Sequence, residues 1–272
     1  KYQIIREIAR SNDIVYEAID PSINRRIALK ELSIPPNVDG AQRRERIERF
    51  WREGKAAGRL SHPNIVTIFE VGKDGDRHFI AMEFLEGQTL RDALQAGGPM
   101  PIPTVKAYAL QLCDALAYAH RNGVVHRDIK PDNVQILPGG HIKLTDFGIA
   151  RLMGEPAITQ NGQVFGTPSY MSPEQVKGGA IDARSDIFSL GVLLYEMVAG
   201  KKPFTGDTIV TITYNITSIE PPPPPGAPPW LASVILKAMA KDPDMRYQSV
   251  EEMAEDIREE KAAGVFANLP NG

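Results

Sequence analysis

Residues 126–148 read HRDIKPDNVQILPGGHIKLTDFG, and this stretch determines how the rest of the chain is interpreted. Two short β-rich runs, 134–137 and 142–145, flank the pair Gly139-Gly140. Two such runs around Gly-Gly predict a β-hairpin with a two-residue turn. In that register Asn133 and Asp146 face each other at the open end of the hairpin, on the same side.

The polar end of this hairpin suits a metal-dependent reaction on phosphate. One amide and one carboxylate offer hard oxygen ligands of the kind that Mg²⁺ binds together with phosphate oxygens and water. Asp128 lies on the approach to the same end and is placed to meet a substrate hydroxyl. Aspartate and asparagine are also common turn formers, so each motif alone carries little weight. The two motifs at this separation, with a hairpin between them, favour a functional site.

The composition is that of an ordinary globular protein. The 272 residues include 31 Lys plus Arg against 34 Asp plus Glu, a net charge of −3, and 42% are hydrophobic. This balance excludes a disordered or collagen-like chain and argues against a general nucleic-acid binder. The single cysteine, Cys113, cannot form an internal disulfide, so we expect a reducing compartment and a buried thiol. The longest uncharged apolar stretch, 187–195, is too short to span a membrane.

The hydrophobic pattern divides the chain into a β-rich part and a helical part. Short β-rich runs are predicted at 3–8, 15–19, 27–32, 65–71 and 77–84, with a helix at 43–60 between the two groups. Helices are predicted at 104–121, 186–199, 237–240 and 250–262, the second of them buried on all sides. The proline-rich run at 221–229 predicts an extended surface connector, with a ligand for another domain as the alternative.

The expected fold is therefore α+β and two-lobed. A small β-rich amino-terminal lobe covers 1–82, a hinge covers 83–88, a larger helical lobe covers 89–262, and a tail follows at 263–272. Lys1 in place of an initiating Met indicates an excised segment, and the parent protein could continue into a membrane anchor.

Several further motifs match one known family. They are IALK at 27–30, MEFLEG at 82–87, SPE at 172–174, Asp186, and DPDMR at 242–246. With the hairpin motifs, they make the chain resemble the Hanks-type Ser/Thr protein kinase domain, and its bacterial members in particular. The likeness runs from Tyr2 to about Lys261 and implies a kinase domain over 1–262. It also implies ATP with Mg²⁺ or Mn²⁺ as cofactors and proteins as substrates.

The resemblance assigns an ATP site between the lobes. Lys30 would hold the α- and β-phosphates, and Glu53, in the buried stripe of the first helix, would be its partner. The residues that would surround the nucleotide are Ile8, Val15, Ala28, Met82 as gatekeeper, the main chain of Glu83 and Leu85, and Gln135 under the adenine. Gln135 departs from the aliphatic side chain that is usual in the family.

The resemblance also assigns the chemistry. Asp128 would orient the acceptor hydroxyl and take its proton, while Lys130 would neutralise charge on the γ-phosphate. Asn133 and Asp146 would hold Mg²⁺. Lysine two residues after Asp128 points to Ser and Thr acceptors.

Other positions are assigned to support and regulation. Glu174 would pair with Arg246, and Asp186 would anchor the backbone of the catalytic loop. Thr159 lies where bacterial relatives autophosphorylate, and a phosphate there could pair with Arg127 and order the loop. The alternative for Thr159 is an unmodified loop residue.

The loop that should cover the phosphates departs from the family pattern. The family has Gly-x-Gly-x-x-Gly-x-Val, whereas residues 8–15 read IARSNDIV and contain no glycine. Glycine there lets backbone N–H groups approach phosphate without a Cβ in the way. Asp13 instead brings a negative charge towards the triphosphate.

Two functions follow from these observations. The first is an active Ser/Thr kinase that autophosphorylates its activation loop, favoured because the acids and lysines that supply charge stabilisation are present. The second is a pseudokinase that acts as an interaction module, favoured by the missing glycines. We expect a cytoplasmic location and no nucleic-acid partner. A homodimer for trans-autophosphorylation could form through Phe50 and Trp51, although a core role is favoured for both.

Overall fold

The structure, a computed structural model, describes residues 1–10, 13–147 and 168–264. In this part of the chain the amino-terminal lobe comprises β1 (Gln3–Arg10), β2 (Ile14–Asp20), β3 (Arg25–Glu31), α1 (Gly40–Ala57), β4 (Ile68–Asp74) and β5 (Arg77–Glu83). The strands pair antiparallel in the order β1-β2-β3-β5-β4. The predicted β-rich lobe with one inserted helix is confirmed, and the strand ends differ from the prediction by a few residues.

Helix α1 packs on the sheet through Phe50, which is buried with Leu32 and Ile80. The helix begins three residues before the predicted start because the Asp39 side chain accepts two hydrogen bonds from the first turn, both at 2.8 Å. Trp51 is half-buried. Phe50 therefore has the core role that was favoured from the sequence.

The second lobe is mainly helical. Its elements are β6 (Gln88–Thr89), α2 (Leu90–Gly97), α3 (Ile102–Arg121), β7 (Val134–Leu137), β8 (His141–Leu144), α4 (Pro173–Lys177), α5 (Ala183–Ala199), α6 (Ile209–Ser218), α7 (Pro229–Ala238) and α8 (Val250–Glu259). Helix α5 is buried along almost its whole length, as its apolar sequence predicts. None of the helices in the described ranges combines the length and the hydropathy that a transmembrane span requires.

Two helix predictions were wrong in their extent. Of the helix predicted at 237–240, only 237–238 are helical: they end α7, which already begins at Pro229 because proline fits the first turn of a helix. Helix α8 ends at Glu259, before the predicted 262, because Glu260 adopts a left-handed conformation with φ of 55°. The proline run before α7 has no regular secondary structure, as predicted, although Pro221 and Pro224 are buried.

The predicted register of the central hairpin was wrong by one residue. Its turn contains three residues, Pro138–Gly140, and both glycines have positive φ, so Leu137 pairs with His141 and Val134 with Leu144. Asn133 therefore lies opposite Thr145, whose N–H donates to the Asn133 carbonyl at 2.9 Å. Asp146 follows the end of the ladder, where its φ of 51° turns the chain out of the strand.

The single cysteine has the predicted environment. Cys113 is unpaired and buried in the large core of the helical lobe. Burial raises the pKa of its thiol to about 12, so the thiol stays protonated at neutral pH.

Candidate active site

The backbone of the catalytic loop is held by one buried carboxylate. Asp186, in the first turn of α5, accepts the N–H of His126 and the N–H of Arg127, both at 2.8 Å. The Nε2 atom of His120 contacts the same carboxylate at 2.8 Å, and the Asp186 side chain is fully buried. Arg127 has a φ of 68°, which a non-glycine residue adopts only where its surroundings impose it. The anchoring expected of Asp186 is thus present.

The ring of His126 joins the catalytic loop to the segment that carries Asp146. Its Nδ1 accepts the N–H of Asp128 at 3.2 Å, so Nε2 carries the proton and donates to the Thr145 carbonyl at 2.9 Å. The ring packs on Phe147 with centroids 4.5 Å apart. Burial lowers the pKa of His126, so the ring is neutral and has a structural role.

Two predicted catalytic side chains and one predicted metal ligand form one cluster. The Nζ atom of Lys130 lies 2.8 Å from Oδ2 of Asp128. The amide of Asn133 donates from Nδ2 to the same Oδ2 at 3.0 Å and to the Asp128 carbonyl at 2.8 Å. The Asp128 carboxylate is therefore fixed between an ammonium group and an amide, with about a fifth of its side chain exposed (22%).

The ammonium group of Lys30 has two carboxylates as ion-pair partners. Its Nζ atom is 2.8 Å from Oδ1 of Asp146 and 3.7 Å from Oδ2 of Asp13. Burial acts to lower the pKa of Lys30, but Asp146 and Asp13 outweigh it and hold that pKa above its ordinary value. The ammonium group of Lys30 in turn lowers the pKa of Asp146. Both groups are charged at neutral pH.

The expected ion pair between Lys30 and Glu53 does not form within the described residues. The ion pairs of Lys30 there are with Asp13 and Asp146, which occupy its ammonium group instead. Burial raises the pKa of Glu53 to about 7, an effect that Lys30 opposes and the two aspartates reinforce. Glu53 therefore lies on the half-buried face of α1, as predicted, but its carboxyl group is partly protonated at neutral pH.

The residues expected to hold a divalent cation provide suitable atoms. The Nδ2 group of Asn133 is committed to Asp128, which leaves its amide oxygen as the atom for a cation. The Asp146 side chain is 45% exposed and uses Oδ1 for Lys30, which leaves Oδ2. Hard oxygen donors of this kind fit Mg²⁺. In the ranges that the structure describes, no three His, Cys, Asp or Glu side chains form a metal cluster. Mg²⁺ in proteins usually keeps several waters and binds substrate phosphates beside one or two protein ligands.

A small apolar cluster lies where the adenine is expected. Ala28, Val66 and Met82 are buried together, with Val15 and Leu85 packed against them. The strand register explains this grouping, because Ala28 pairs with Met82 on β5 and the neighbouring Lys30 position pairs with Val15 on β2. Four of the predicted nucleotide contacts are therefore adjacent: Val15, Ala28, Met82 and Leu85.

The other predicted nucleotide contacts differ in their environment. The N–H of Glu83 donates to the Thr67 carbonyl at 2.9 Å, so a hydrogen bond from its main chain to adenine would use its carbonyl oxygen. Gln135 is half-buried on β7 opposite Lys143. Ile8 lies on β1 with 38% of its surface exposed and outside the apolar cluster.

The ion pair expected between Glu174 and Arg246 is present. Nη1 and Nη2 of Arg246 donate to the two oxygens of Glu174 at 2.8 and 2.9 Å, and the Arg246 side chain is fully buried. Burial alone would raise the pKa of Glu174, but the hydrogen bonds from Arg246 and Ser185 keep it below its ordinary value. The backbone of the catalytic loop joins the same region, because Gln175 donates to the Arg127 carbonyl at 2.8 Å.

The sequence interpretation missed a second polar network. Arg91 on α2 donates to Glu196 at 2.9 Å, to the Tyr170 hydroxyl at 2.6 Å and to Asp132 at 3.3 Å. The Tyr170 hydroxyl also donates to Glu196. Asp132 directly precedes Asn133, so this network connects the catalytic loop to the helical core. The sequence signal that could have revealed this network is Glu196, a charged residue in the mostly apolar helix α5.

Some predicted positions lie outside the described residues. They are Ser11 and Asn12 of the phosphate-covering loop, Gly148, and the activation-loop residue Thr159. Arg127, the expected partner of a phosphate on Thr159, is held by the contacts of its backbone to Asp186 and Gln175.

Comparison with known proteins agrees with this geometry. The model of the protein kinase domain family matches residues 11–257. The chain is 41% identical over 263 residues to the serine/threonine-protein kinase PrkC of Bacillus subtilis, covering 95% of this chain and 40% of that protein. It is 40% identical over 253 residues to the serine/threonine-protein kinase PknB of Mycobacterium tuberculosis, covering 89% of this chain and 40% of that protein.

The chain thus spans about two fifths of the length of these curated relatives. The family match nevertheless covers most of it, and the matched part contains the Asp128 cluster, the Lys30 pairs and the pair of Glu174 with Arg246. The chain belongs to the protein kinase family, as one of its bacterial Hanks-type Ser/Thr members.

Proposed function

We propose that this chain transfers the γ-phosphoryl group of ATP to Ser and Thr hydroxyls of proteins. The observation that carries the proposal is the cluster in which Lys130 and Asn133 fix the Asp128 carboxylate at 2.8 and 3.0 Å. Such a carboxylate can accept a hydroxyl proton, and an adjacent ammonium group can stabilise the charge that develops on phosphate.

The reaction then needs one proton acceptor and several positive charges. The acceptor oxygen attacks the γ-phosphorus, its proton passes to the carboxylate of Asp128, and the bond to the β–γ bridging oxygen breaks to release ADP. Lys130 neutralises the transferred group. Lys30 binds the α- and β-phosphates, which requires that phosphate oxygens displace at least one of the two carboxylates beside its ammonium group.

The divalent cation would be held by Asn133 and Asp146. Bound there, Mg²⁺ supplies positive charge that stabilises the phosphate oxygens. The protein's own contribution is to fix the two ligands. Asp128 orients the Asn133 amide and Lys30 orients the Asp146 carboxylate, through the contacts already described.

Regulation and location extend this proposal. We place autophosphorylation at Thr159, with Arg127 as the partner of the phosphate and a homodimer as the arrangement for transfer in trans. The catalytic domain would cover 1–262, with a tail at 263–272. Its relatives extend well beyond the matched part, so we place the chain in the cytoplasmic domain of a longer protein.

One observation favours a second candidate, a pseudokinase that serves as an interaction module. Lys30 is held by Asp13 and Asp146 and not by Glu53, and the phosphate-covering segment has no glycine. Both features weaken the binding of phosphate. We favour the active enzyme because the side chains that stabilise charge in this reaction are present and clustered.

Intact mass spectrometry after incubation with ATP and Mg²⁺ or Mn²⁺ separates these candidates. We expect phosphate-sized mass increments in the parent chain and in Asp76→Asn, a matched removal of a carboxylate on an exposed turn far from the cluster. Asp128→Asn and Asp146→Asn should show none. Peptides that differ only in Ser, Thr or Tyr as acceptor then test the residue specificity.

The pseudokinase is favoured instead if the parent chain gains no phosphate and Mg-ATP does not change its melting temperature. Equal incorporation by the parent and by Asp128→Asn would show that the assigned proton acceptor is wrong. Peptide mapping of the phosphorylated chain tests Thr159 separately, since modification elsewhere would leave the transfer reaction intact and remove the proposed site.

A further inference from the structure

Asp13 lies beside Lys30, the residue that is expected to bind the phosphates of the nucleotide. It directly precedes β2, in the segment that should cover the triphosphate, and its side chain is 15% exposed. Oδ1 accepts the N–H of Ser33 at 3.1 Å and lies 3.9 Å from Arg46 on α1. Oδ2 lies 3.7 Å from Nζ of Lys30. The carboxylate therefore points into the site and away from the solvent.

The two carboxylates on Lys30 are not equivalent towards a nucleotide. Asp146 is expected to hold the divalent cation, so it stays close to the phosphates when they bind. Asp13 has no such role and brings a full negative charge to the same ammonium group that the phosphates must contact. Phosphate oxygens that contact Lys30 would lie near the Asp13 carboxylate, and like charges in a partly buried site repel each other.

The other contacts of Asp13 show how it can leave Lys30 without unfolding the loop. The hydrogen bond from Ser33 and the attraction to Arg46 both act on Oδ1, whereas Lys30 faces Oδ2. Loss of the Lys30 contact would therefore still leave Oδ1 with the Ser33 N–H and Arg46 as partners. A purely structural aspartate would not need to place its second oxygen on the phosphate-binding lysine.

We propose that Asp13 is a positioning residue that acts through Lys30 and competes with the phosphates of ATP for it, so that Asp13 sets the affinity of this kinase for ATP. The inference rests on the proposed function, because it takes Lys30 as the group that binds phosphate. Under this proposal the unusual loop at 8–15 weakens ATP binding in two separate ways: it lacks glycines, and it adds the competing charge of Asp13.

The test compares Asp13→Asn with Asp20→Asn. Asparagine keeps an oxygen for the Ser33 N–H and removes the charge, and Asp20 lies at the opposite end of β2, beside Arg25. Dissociation constants for Mg-ATP and for adenosine are measured by titration calorimetry on the parent chain and both variants. Adenosine is the matched ligand because it has the base and the ribose but no phosphate.

We expect Asp13→Asn to bind Mg-ATP about tenfold more tightly than the parent, from the loss of one competing charge. Its affinity for adenosine and both affinities of Asp20→Asn should stay at parent values. In steady-state assays, KM for ATP should fall while kcat changes less than about twofold. If Asp13→Asn melts early, Asp13→Ser, which also retains an acceptor oxygen, gives the same comparison.

Other results would overturn the inference. Equal ATP affinities of the parent and Asp13→Asn, or weaker binding by the variant, would show that Asp13 does not compete for Lys30. An equal increase in affinity for adenosine and for ATP would mean that the substitution changes the shape of the site and does not act on the phosphates. If these chains bind ATP but only the Asp13 effect is missing, the proposed kinase function stands; if none binds ATP, both proposals fail.

Discussion

The guanidinium group of Arg246 donates two hydrogen bonds to the carboxylate of Glu174, at 2.8 and 2.9 Å, and is completely buried. A buried charge that loses its partner keeps the full cost of desolvation. This pair therefore joins the first turn of α4 to the loop that precedes α8, and removing either partner alone should be strongly destabilising.

Glu174→Gln should lower the free energy of unfolding by about 3–5 kcal/mol, because it leaves the Arg246 charge unpaired in the interior. The matched control is Glu251→Gln, which breaks the exposed pair with Arg121 at 2.9 Å and should cost about 1 kcal/mol or less. Urea titrations followed by circular dichroism measure both changes. Similar losses in the two variants would mean that the buried pair stabilises the protein no more than the exposed pair does.

Arg91 offers a test of how the catalytic loop is positioned. Arg91→Met removes the donor to Asp132, Glu196 and Tyr170, so we expect a fall in kcat of about tenfold or more with a smaller change in KM. Arg91→Lys retains the charge without the planar fork and should recover part of the activity. A variant with unchanged kcat but a lower melting temperature would assign Arg91 to stability alone.

The sequence predicted those parts of the molecule that local patterns control. The strands around Lys30, the helix with Glu53 and the buried helix α5 follow from hydrophobic periodicity, and motif spacing identified the Asp128 cluster. The hairpin register was wrong because Pro138 joins the turn, and turn length shifts every pair by a residue.

Contacts between distant segments could not be predicted in the same way. Lys30 and Asp146 are 116 residues apart in the sequence. Whether the Lys30 ammonium group pairs with Asp13, Glu53 or Asp146 depends on distances that are set only when the lobes pack. The network of Arg91 likewise joins residues up to 105 positions apart. Resemblance supplied Glu53 as the partner of Lys30, but a motif carries no information about competing charges such as Asp13.

Gly87 tests the packing of the hinge against the central hairpin. A Cβ atom on Gly87 would lie 2.0 Å from the Ile136 carbonyl oxygen, so Gly87→Ala must displace β7 or the hinge. We expect a loss of about 1–3 kcal/mol in unfolding free energy and weaker binding of adenosine, whose base we propose to bind at the same hinge.

The control for this prediction is Gly97→Ala. Nothing lies within 4 Å of a Cβ there, and the residue ends helix α2, so alanine should be neutral or slightly stabilising. Thermal melts and adenosine titrations on both variants make the comparison. Parent-like behaviour of Gly87→Ala would show that the hinge tolerates a side chain and is looser than this contact implies.

Glu53 makes stability depend on pH in a predictable direction. Its pKa is raised from 4.5 to about 7 in the folded protein, so the folded state binds this proton more tightly than the unfolded state. The resulting stabilisation is complete below about pH 4.5 and disappears as the pH rises through 7. Relative to Glu53→Gln, the parent chain should therefore lose about 2 kcal/mol of unfolding free energy between pH 5 and pH 8.

Urea titrations at several pH values on the parent, Glu53→Gln and Glu45→Gln measure this difference. Glu45 lies on the same helix with an exposed carboxylate, so its variant shows how the profile responds to the removal of a surface charge. Parallel profiles for the parent and Glu53→Gln would contradict the prediction. They would mean that Lys30 pairs with Glu53 in solution and keeps its carboxylate charged, with Asp13 displaced from the ammonium group.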